Sequence, residues 1–248
     1  MTASENQFIS DMKNIKLELV PYETNLEKIR IGVAGDGGYV INNIEKSDGL
    51  FSYGCDDNIK FEKAYHEKYG ATCWVYDHTI DGITNCPDYI TFFKQGVGPK
   101  KTDVLDTFDN QIGDRDCSNM FAQIDIEGYE WITLKDSVKI KEFAQLIIEF
   151  HISMQMPCPI MIDTLKFLNK YFVCTHIHGN NCPLQPWIDI NLPRVFECTY
   201  VRNDLITWKK VDIRPYPLDI DFPNSSNFPD LPLTWWHPPS CATRPSAI

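Results

Sequence analysis

Short apolar segments alternate with amphipathic stretches through the middle of the chain, and this alternation constrains the fold more than any other feature. Seven of the apolar segments have the length and the β-branched or aromatic content of strands. Strands that alternate with helices imply right-handed crossovers and a mainly parallel sheet with helices on both faces. The predicted strands span residues 50–54, 72–77, 88–94, 120–125, 145–151, 172–178 and 195–201.

Four of the intervening stretches have the pattern or the stop signals of helices. A loop rather than a helix joins the last two strands, which predicts an antiparallel strand at the edge of the sheet. The sequence therefore predicts an α/β fold with a Rossmann-like seven-stranded sheet, mostly parallel with an antiparallel edge strand. The predicted helices span residues 58–70, 101–113, 130–143 and 159–170.

The character of the chain changes near residue 212, where prolines and aromatic residues become frequent. Prolines at this spacing exclude a regular helix or a central strand. We therefore predict a single domain over residues 1–211 and an extended C-terminal segment over residues 212–248. Trp235 and Trp236 are predicted to pack against the body. The alternative is that this segment covers a ligand cleft or a partner subunit.

The charge balance excludes some classes of partner. Lys and Arg total 23 against 34 Asp and Glu, a formal net charge of −11, which argues against sequence-independent binding of nucleic acid and against docking on an anionic membrane. No segment has the ~18 uninterrupted apolar residues of a membrane span, and the N-terminus has no signal-peptide pattern. The nine cysteines lack zinc-knuckle spacing, so we expect reduced thiols in a cytoplasmic protein.

An open parallel sheet binds ligands beyond the carboxyl ends of its strands. The first predicted strand runs into Gly54, Asp56 and Asp57, and the second ends at Asp77, 23 residues after Gly54. A dinucleotide favours G-x-G-x-x-G at the first turn, whereas this turn reads G-C-D-D-N-I, and its carboxylates repel a pyrophosphate. They suit the cationic cofactor S-adenosylmethionine. Asp77 is placed to accept hydrogen bonds from the ribose hydroxyls of this cofactor. The other interpretation is that Asp56 and Asp57 only cap the next helix.

Several stretches of the sequence resemble the FkbM-type methyltransferases. The motif D-I-E-G-x-E, within Q-I-D-I-E-G-Y-E at 123–130, is the most specific of them, and the resemblance covers about residues 28–205. It implies a class I methyltransferase fold, S-adenosylmethionine as cofactor and O-methylation of a sugar or natural product. Cys55 stands where many relatives have a small residue followed by a second glycine. The other similar stretches are 30–41, 53–58, 75–77, 148–151, 178–181 and 199–202.

The positions of the strand ends and the family resemblance together predict the residues of a cofactor site. These residues lie at or just after the ends of the first four predicted strands, where the carboxyl edge of the sheet would meet the ligand. The cofactor-binding candidates are Tyr53, Gly54, Cys55, Asp56, Asp57, Asp77, His78, Gly96 and Asp125.

Methyl transfer to a sugar hydroxyl needs a group that takes the hydroxyl proton. Residues i and i+2 of a strand share a face, so Glu149 pairs with His151 where their strand reaches the pocket. His151 is the first choice for the base because imidazole titrates near neutral pH. Asp125 is the alternative base, or it holds the ammonium group of the cofactor. His151 can equally be a satisfied histidine at a strand end, and the catalytic candidates are His151, Asp125 and Glu149.

A second mechanism uses a divalent cation, Mg²⁺ or Mn²⁺, which lowers the pKa of the acceptor hydroxyl. Its candidate ligands are Asp125, Glu149, His151 and His178. Short polar side chains in a cleft suit hydroxyl recognition, although Glu127 can instead be a first-turn helix acid and the asparagines can fill a turn. The candidate acceptor contacts are Asp36, Glu127, His178, Asn180, Asn181 and Arg202.

These patterns predict an O-methyltransferase that uses S-adenosylmethionine and acts on a sugar or glycan, free or nucleotide-linked. Two other functions stay open. One is a module that binds the cofactor without turnover, and the other, which the acidic turn disfavours, is a nicotinamide-dependent oxidoreductase.

Overall fold

The computed structural model describes residues 3–153, 155–182 and 192–236, with side chains from residue 7. Its α-helices are α1 (Ala3–Glu18), α2 (Lys60–Tyr69), α3 (Phe108–Ile112), α4 (Glu130–Thr133) and α5 (Cys158–Tyr171), and short 3-10 helices span Leu134–Asp136, Ile140–Glu142 and Asn203–Leu205. Its strands are β1 (Tyr22–Thr24), β2 (Lys28–Gly32), β3 (Gly38–Asn42), β4 (Gly49–Tyr53), β5 (Thr72–Tyr76), β6 (Ile90–Phe93), β7 (Gly96–Val97), β8 (Leu105–Asp106), β9 (Met120–Ile124), β10 (Gln145–His151), β11 (Phe172–Gly179), β12 (Val195–Arg202) and β13 (Lys209–Val211).

A mixed α/β architecture with a seven-stranded, mostly parallel sheet is confirmed. The strand order is β11-β12-β10-β9-β4-β5-β6, and β10, β9, β4, β5 and β6 are parallel to one another. Strand β12 runs antiparallel to both of its neighbours, β10 and β11. The predicted position of the antiparallel strand was therefore wrong: β12 has hydrogen-bonded partners on both sides, and the edge is β11.

Each face of the sheet has its own hydrophobic core, because successive side chains of a strand point to opposite faces. In β4, Phe51 and Tyr53 belong to the core that also contains residues of α1, α3 and α5. Leu50 belongs to the core on the other face, with α2 and the β2–β3 hairpin. The first face is thus covered by helices, and the second by one helix and a hairpin.

Two predicted helices were largely wrong. Residues 101–113 form β8 and the short α3, because Thr102 Oγ1 accepts a hydrogen bond from Leu105 N (3.0 Å) and the Thr107 side chain caps α3. Residues 130–143 are helical only in α4 and two 3-10 turns. The Asp109 carboxylate binds the Ser137 hydroxyl (2.5 Å) and the backbone N–H of Lys139 (3.1 Å), which draws this segment out of a continuous helix.

The described part of the C-terminal segment lies against the body without regular secondary structure. Trp235 donates its indole N–H to the Leu19 carbonyl (2.9 Å), and Trp236 donates to the Asp212 carbonyl (2.6 Å). Tyr216 is buried with a 2% exposed surface. Both tryptophans therefore pack inward as predicted, whereas residues 237–248 lie outside the described residues.

None of the helices described here is both long enough and apolar enough to cross a bilayer, and the eight cysteines of the described residues are free thiols.

Candidate functional site

A cleft of about 580 Å³ opens at the carboxyl ends of β4, β5 and β9. This is the position at which parallel α/β sheets bind ligands. Its walls come from the turns that follow these strands and from the turn between β2 and β3. Of the residues predicted from the sequence, the cleft is lined by Asp36, Gly54, Cys55, Asp56, Asp77, His78, Gly96, Asp125 and Glu127.

The turn after β4 is held in a conformation that few residues adopt. Gly54 has φ 81°, and a Cβ built on it would lie 1.8 Å from the Asp125 carbonyl oxygen. Asp56 and Asp57 follow with φ of 42° and 61°. Only glycine fits the first position, while aspartate is among the side chains that tolerate a left-handed backbone. The close approach brings the turn after β4 against the end of β9.

The two aspartates of this turn point to different places. Asp56 lines the cleft, whereas Asp57 accepts hydrogen bonds from the Thr84 backbone N–H and hydroxyl, both 2.7 Å. Neither aspartate caps α2, whose N-cap residue is Ile59 without a side-chain hydrogen bond. The helix-cap interpretation was therefore wrong, and so was the assignment of Asp57 to the ligand, because its carboxylate is occupied by Thr84.

The Asp77 carboxylate stabilises the turn after β4, and all of its hydrogen bonds are made to protein groups. Its Oδ2 accepts from the backbone N–H groups of Cys55 (2.9 Å) and Asp56 (3.1 Å), and its Oδ1 from the Thr79 backbone and hydroxyl (2.8 and 2.6 Å). Burial acts to raise the pKa of Asp77, but these hydrogen bonds bring it below its ordinary value. Both oxygens are occupied, so the predicted bidentate contact with a ribose does not exist in this conformation.

Four further cofactor candidates differ in position and surroundings. Tyr53 is fully buried in the helix-covered core and stacks on Tyr76, with ring centroids 5.2 Å apart. It does not line the cleft, so that prediction was wrong: its ring is enclosed by the helix-covered core. His78 and Gly96 lie together in the cleft wall, since a Cβ on Gly96 would come within 2.5 Å of His78 Nδ1. Burial raises the pKa of the Cys55 thiol to about 12, so it is no nucleophile.

His151 lies within a group of carboxylates that we call the open cluster. Its Nε2 is 3.3 Å from Glu127 Oε2, 3.9 Å from Asp125 Oδ1 and 3.9 Å from Glu149 Oε1. Its Nδ1 is 3.2 Å from Glu130 Oε1. The structure therefore brings together the three residues predicted as catalytic. The open cluster consists of Asp125, Glu127, Glu130, Glu149 and His151.

Glu130 is the site residue that the sequence analysis missed. Its side chain is fully buried, and Oε1 accepts from the backbone N–H groups of Ile126 (3.1 Å) and Gly128 (3.2 Å) as well as from His151. It therefore holds the turn in which Glu127 has φ 55°, an uncommon value for this residue type. The signal was present, since Glu130 is the last residue of D-I-E-G-x-E.

The open cluster concentrates negative charge in a poorly solvated place. Burial raises the pKa of Asp125 to about 7, with His151 opposing the shift and neighbouring acids adding to it. Burial and the Asp125 charge raise the pKa of Glu149 well above its ordinary value. Burial acts to lower the pKa of His151, but the hydrogen bond and charge of Glu130 raise it overall. Asp125 Oδ1 is enclosed and accepts no hydrogen bond from the described residues.

A second histidine–carboxylate group, the sealed cluster, lies beside the first under the C-terminal segment. His178 Nδ1 is 3.4 Å from Glu197 Oε2, and its Nε2 is 3.0 Å from Asp230 Oδ1. His176 Nε2 is 2.9 Å from Asp221 Oδ1. His178 is only 3% exposed, so its predicted roles as metal ligand and acceptor contact were wrong: both ring nitrogens are already paired. The sealed cluster consists of His176, His178, Glu197, Asp221 and Asp230.

The remaining acceptor candidates are scattered. Asn180 donates to Glu149 Oε1 (3.1 Å) and so touches the open cluster. Asn181 donates to the carbonyls of Ser225 (2.9 Å) and Phe228 (2.8 Å), which anchors the C-terminal segment. Asn181 is buried by these contacts, so it is not a ligand contact as predicted.

Arg202 and Asp36 were predicted as acceptor contacts, and the structure separates them. Arg202 pairs in register with Phe172, the first residue of β11, and binds Asp204 and the Glu142 carbonyl. Because β12 runs antiparallel, its last residue lies at the amino edge of the sheet, so this prediction was wrong. Asp36 lines the cleft and is 3.3 Å from Asn58 Nδ2.

The charge of the cleft is one-sided. Among the described residues no lysine or arginine lines it, and His78 is its one side chain able to carry a positive charge. Such a wall favours a cation and disfavours a phosphate ligand. Its six carboxyl groups belong to Asp36, Asp56, Glu62, Asp77, Asp125 and Glu127. Burial raises the pKa of Glu62 and of Asp125, so the negative charge of the wall rests mainly on the other four.

Comparison with known proteins leaves the family open. No protein-family model and no curated protein matches this chain. A solved structure described as a putative hemolysin from Streptococcus thermophilus is similar over 68% of this chain and 72% of that one, with 13% sequence identity and a TM-score of 0.39. A likeness of this quality does not identify a family.

Proposed function

We propose that the protein is an S-adenosylmethionine-dependent O-methyltransferase that acts on a hydroxyl of a sugar or glycan. The observation that carries the proposal is the cleft at the carboxyl ends of β4, β5 and β9, which is lined by six carboxyl groups and, among the described residues, by no lysine or arginine. In such sheets this is the ligand crevice. A cofactor with a sulfonium and an ammonium group matches that charge, whereas the pyrophosphate of a dinucleotide opposes it.

The described residues fit this cofactor in size and in backbone shape. About 580 Å³ lies within the range of pockets that enclose ligands of this size. The turn after β4 presents Cys55 and Asp56 to the cleft, and Gly54 permits the turn to lie against the end of β9. Asp36 and Asp56 are the candidates to hold the cationic groups, because Asp57 and Asp77 are occupied by protein donors.

When bound, S-adenosylmethionine supplies a methyl group on a positively charged sulfur. This chain must then hold the acceptor oxygen in line with that methyl group and remove the hydroxyl proton as the new bond forms. The open cluster borders the cleft through Asp125 and Glu127, and Glu130 fixes the orientation of His151. We assign removal of the proton to this cluster.

The experiment is a thermal-shift titration with S-adenosylmethionine, with its demethylated product and with NADH. We expect stabilisation by the first two and none by NADH. Asp56→Asn and Asp57→Asn form a matched pair, because both residues have positive φ and asparagine tolerates it. Asp56→Asn removes a charge from the cleft wall and should weaken cofactor binding about fivefold, roughly 1 kcal/mol. Asp57→Asn should leave it unchanged.

Stabilisation by NADH, or none by S-adenosylmethionine at millimolar concentration, would contradict the proposal. A panel of sugars and glycans incubated with the cofactor should then show the mass gain of one methyl group. Cofactor binding without any product would favour the binding module over the enzyme.

A further inference from the structure

We propose that Asp125, Glu127 and His151 form a binding site for one divalent cation of the Mn²⁺ or Mg²⁺ class. Binding of the cation does not depend on the proposed function. The role that we give the cation, to bind and activate the acceptor hydroxyl, does rest on it. The site replaces two of the ligands expected from the sequence, since Glu127 takes the place of Glu149 and His178.

The orientation of the His151 ring is the first support. Glu130 Oε1 already accepts two backbone N–H bonds, so it acts as an acceptor toward His151 Nδ1, and that nitrogen carries the proton. The second nitrogen, Nε2, then faces Glu127 and Asp125. A histidine that ligates a metal almost always donates its other N–H to a carboxylate or carbonyl in this way.

The second support is an unsatisfied oxygen. Asp125 Oδ1 is enclosed by protein and accepts no hydrogen bond from the described residues, and it lies 3.9 Å from His151 Nε2. Buried polar atoms are nearly always paired, and one that is not calls for an ion or another partner. Carboxylate oxygens of both Asp125 and Glu127 converge on the single His151 Nε2, and a divalent cation would neutralise this pair of acids more completely than one imidazole can.

The spacing of the three ligands is compatible with one cation. A ligand atom from each of Asp125, Glu127 and His151 lies within 4.8 Å of the other two. Ligands about 2.0–2.3 Å from a common ion lie within about 4.5 Å of one another, so small side-chain adjustments suffice. One imidazole and two carboxylates without a thiolate favour Mn²⁺ or Mg²⁺ over softer metals.

The site also leaves positions for a substrate. The Glu127 side chain is 85% exposed, and Asp125 and Glu127 both line the cleft, so one side of the ion would face the ligand space. A cation there would bind one or two hydroxyl oxygens of a sugar and lower their pKa. The hydroxyl proton would pass to water.

The test uses Mn²⁺ alone, with the free ion measured by electron paramagnetic resonance during titration of the full chain. Wild type should bind one Mn²⁺ per chain. Glu127→Gln should weaken binding at least tenfold, and its exposed position makes misfolding of this variant a small concern. Asp125→Asn provides an independent second variant. Glu67→Gln, an exposed acid on α2, is the matched control and should bind as wild type does.

No bound Mn²⁺ in wild type, or equal binding by wild type, Glu127→Gln and Asp125→Asn, would overturn the site. The cofactor titration repeated in EDTA separates this result from the proposed function. Stabilisation by S-adenosylmethionine in EDTA together with absent Mn²⁺ binding would reject the cation site and retain the cofactor. Mn²⁺ binding with no response to the cofactor would retain the site and reject the methyltransferase.

Discussion

The open and sealed clusters are built from the same residue types at the same edge of the sheet, yet they differ in what covers them. His151 is 19% exposed and Glu127 85%, and the open cluster borders the cleft. In the sealed cluster the exposed fractions are 3% for His178, 8% for Glu197 and 16% for Asp230. The C-terminal segment supplies Asp230 and Asp221, so it closes the second cluster with its own carboxylates.

This difference shows how one sequence pattern can serve two purposes. E-x-H on β10 and H-x-H on β11 both direct i and i+2 side chains to one face. On β11 each histidine lies within hydrogen-bond distance of one or two acids. The sealed cluster therefore acts as a clamp, because it fastens the C-terminal segment to the sheet. On β10 the histidine meets more acids than it can neutralise, and that excess is the property of a binding site.

The largest effect that we predict separates the clusters by stability. His178→Ala leaves Glu197 and Asp230 buried without their shared partner, and breaking a buried pair in this way costs about 3–5 kcal/mol. His151→Ala removes a partly exposed ring from an acid-rich site and should lower the free energy of unfolding by about 1 kcal/mol or less. Urea denaturation of both variants measures the two values.

Equal losses of stability in His178→Ala and His151→Ala would remove the distinction between a clamp and a site. His178→Asn serves as a check on packing, because asparagine fills part of the space and retains a donor. We expect it to recover part of the lost stability, but not all of it.

A second prediction concerns the pH dependence of the clamp. Burial acts to lower the pKa of His178, but hydrogen bonds from its ring to Asp230 and Glu197 raise it to about 10, with the Asp221 charge adding to this. An unfolded histidine titrates near pH 6.5, so the stabilisation is complete below about pH 6.5 and is lost as the pH rises toward 10. Wild type should therefore lose stability over this range, by at most about 1.4 kcal/mol per pH unit for this one group.

The advantage of wild type over His178→Ala should accordingly shrink from pH 6.5 to pH 10. Comparing the two proteins by urea denaturation at each pH cancels the titration of other groups, such as Lys28, whose pKa is lowered by burial. A difference that stays constant over this range would show that His178 is not held as a cation.

Much of the sheet could be predicted because its strands are short, apolar and rich in β-branched or aromatic residues. The i, i+2 rule on parallel strands also predicted that Asp125, Glu149 and His151 meet at one edge. The wrong prediction for Arg202 has one cause, which is the direction of β12. The last residue of an antiparallel strand lies at the opposite edge of the sheet.

Other features depend on contacts that no local pattern encodes. Asp221 and Asp230 reach the sheet from a proline-rich segment 45 and 52 residues beyond their histidines. Asp57 is turned away from the cleft by Thr84, a partner 27 residues later. Tertiary contacts of this kind decide which of two neighbouring acids lines the cleft, and strand periodicity carries no information about them.

The smallest predicted effect uses two neighbouring asparagines that divide between the clusters. Asn181 donates to three carbonyls of the C-terminal segment and accepts from Ser225 N, all within a buried contact, whereas Asn180 donates to Glu149 of the open cluster. Asn181→Ala leaves several buried groups unpaired and should cost about 1–3 kcal/mol, with faster proteolysis after residue 212. Asn180→Ala should cost about 1 kcal/mol or less, because Glu149 retains other neighbours. Limited proteolysis and urea denaturation of the two single variants measure both effects.

If Asn180→Ala released the C-terminal segment as readily as Asn181→Ala, the clusters would form one cooperative unit, and cation binding at His151 would then have to protect the segment from cleavage.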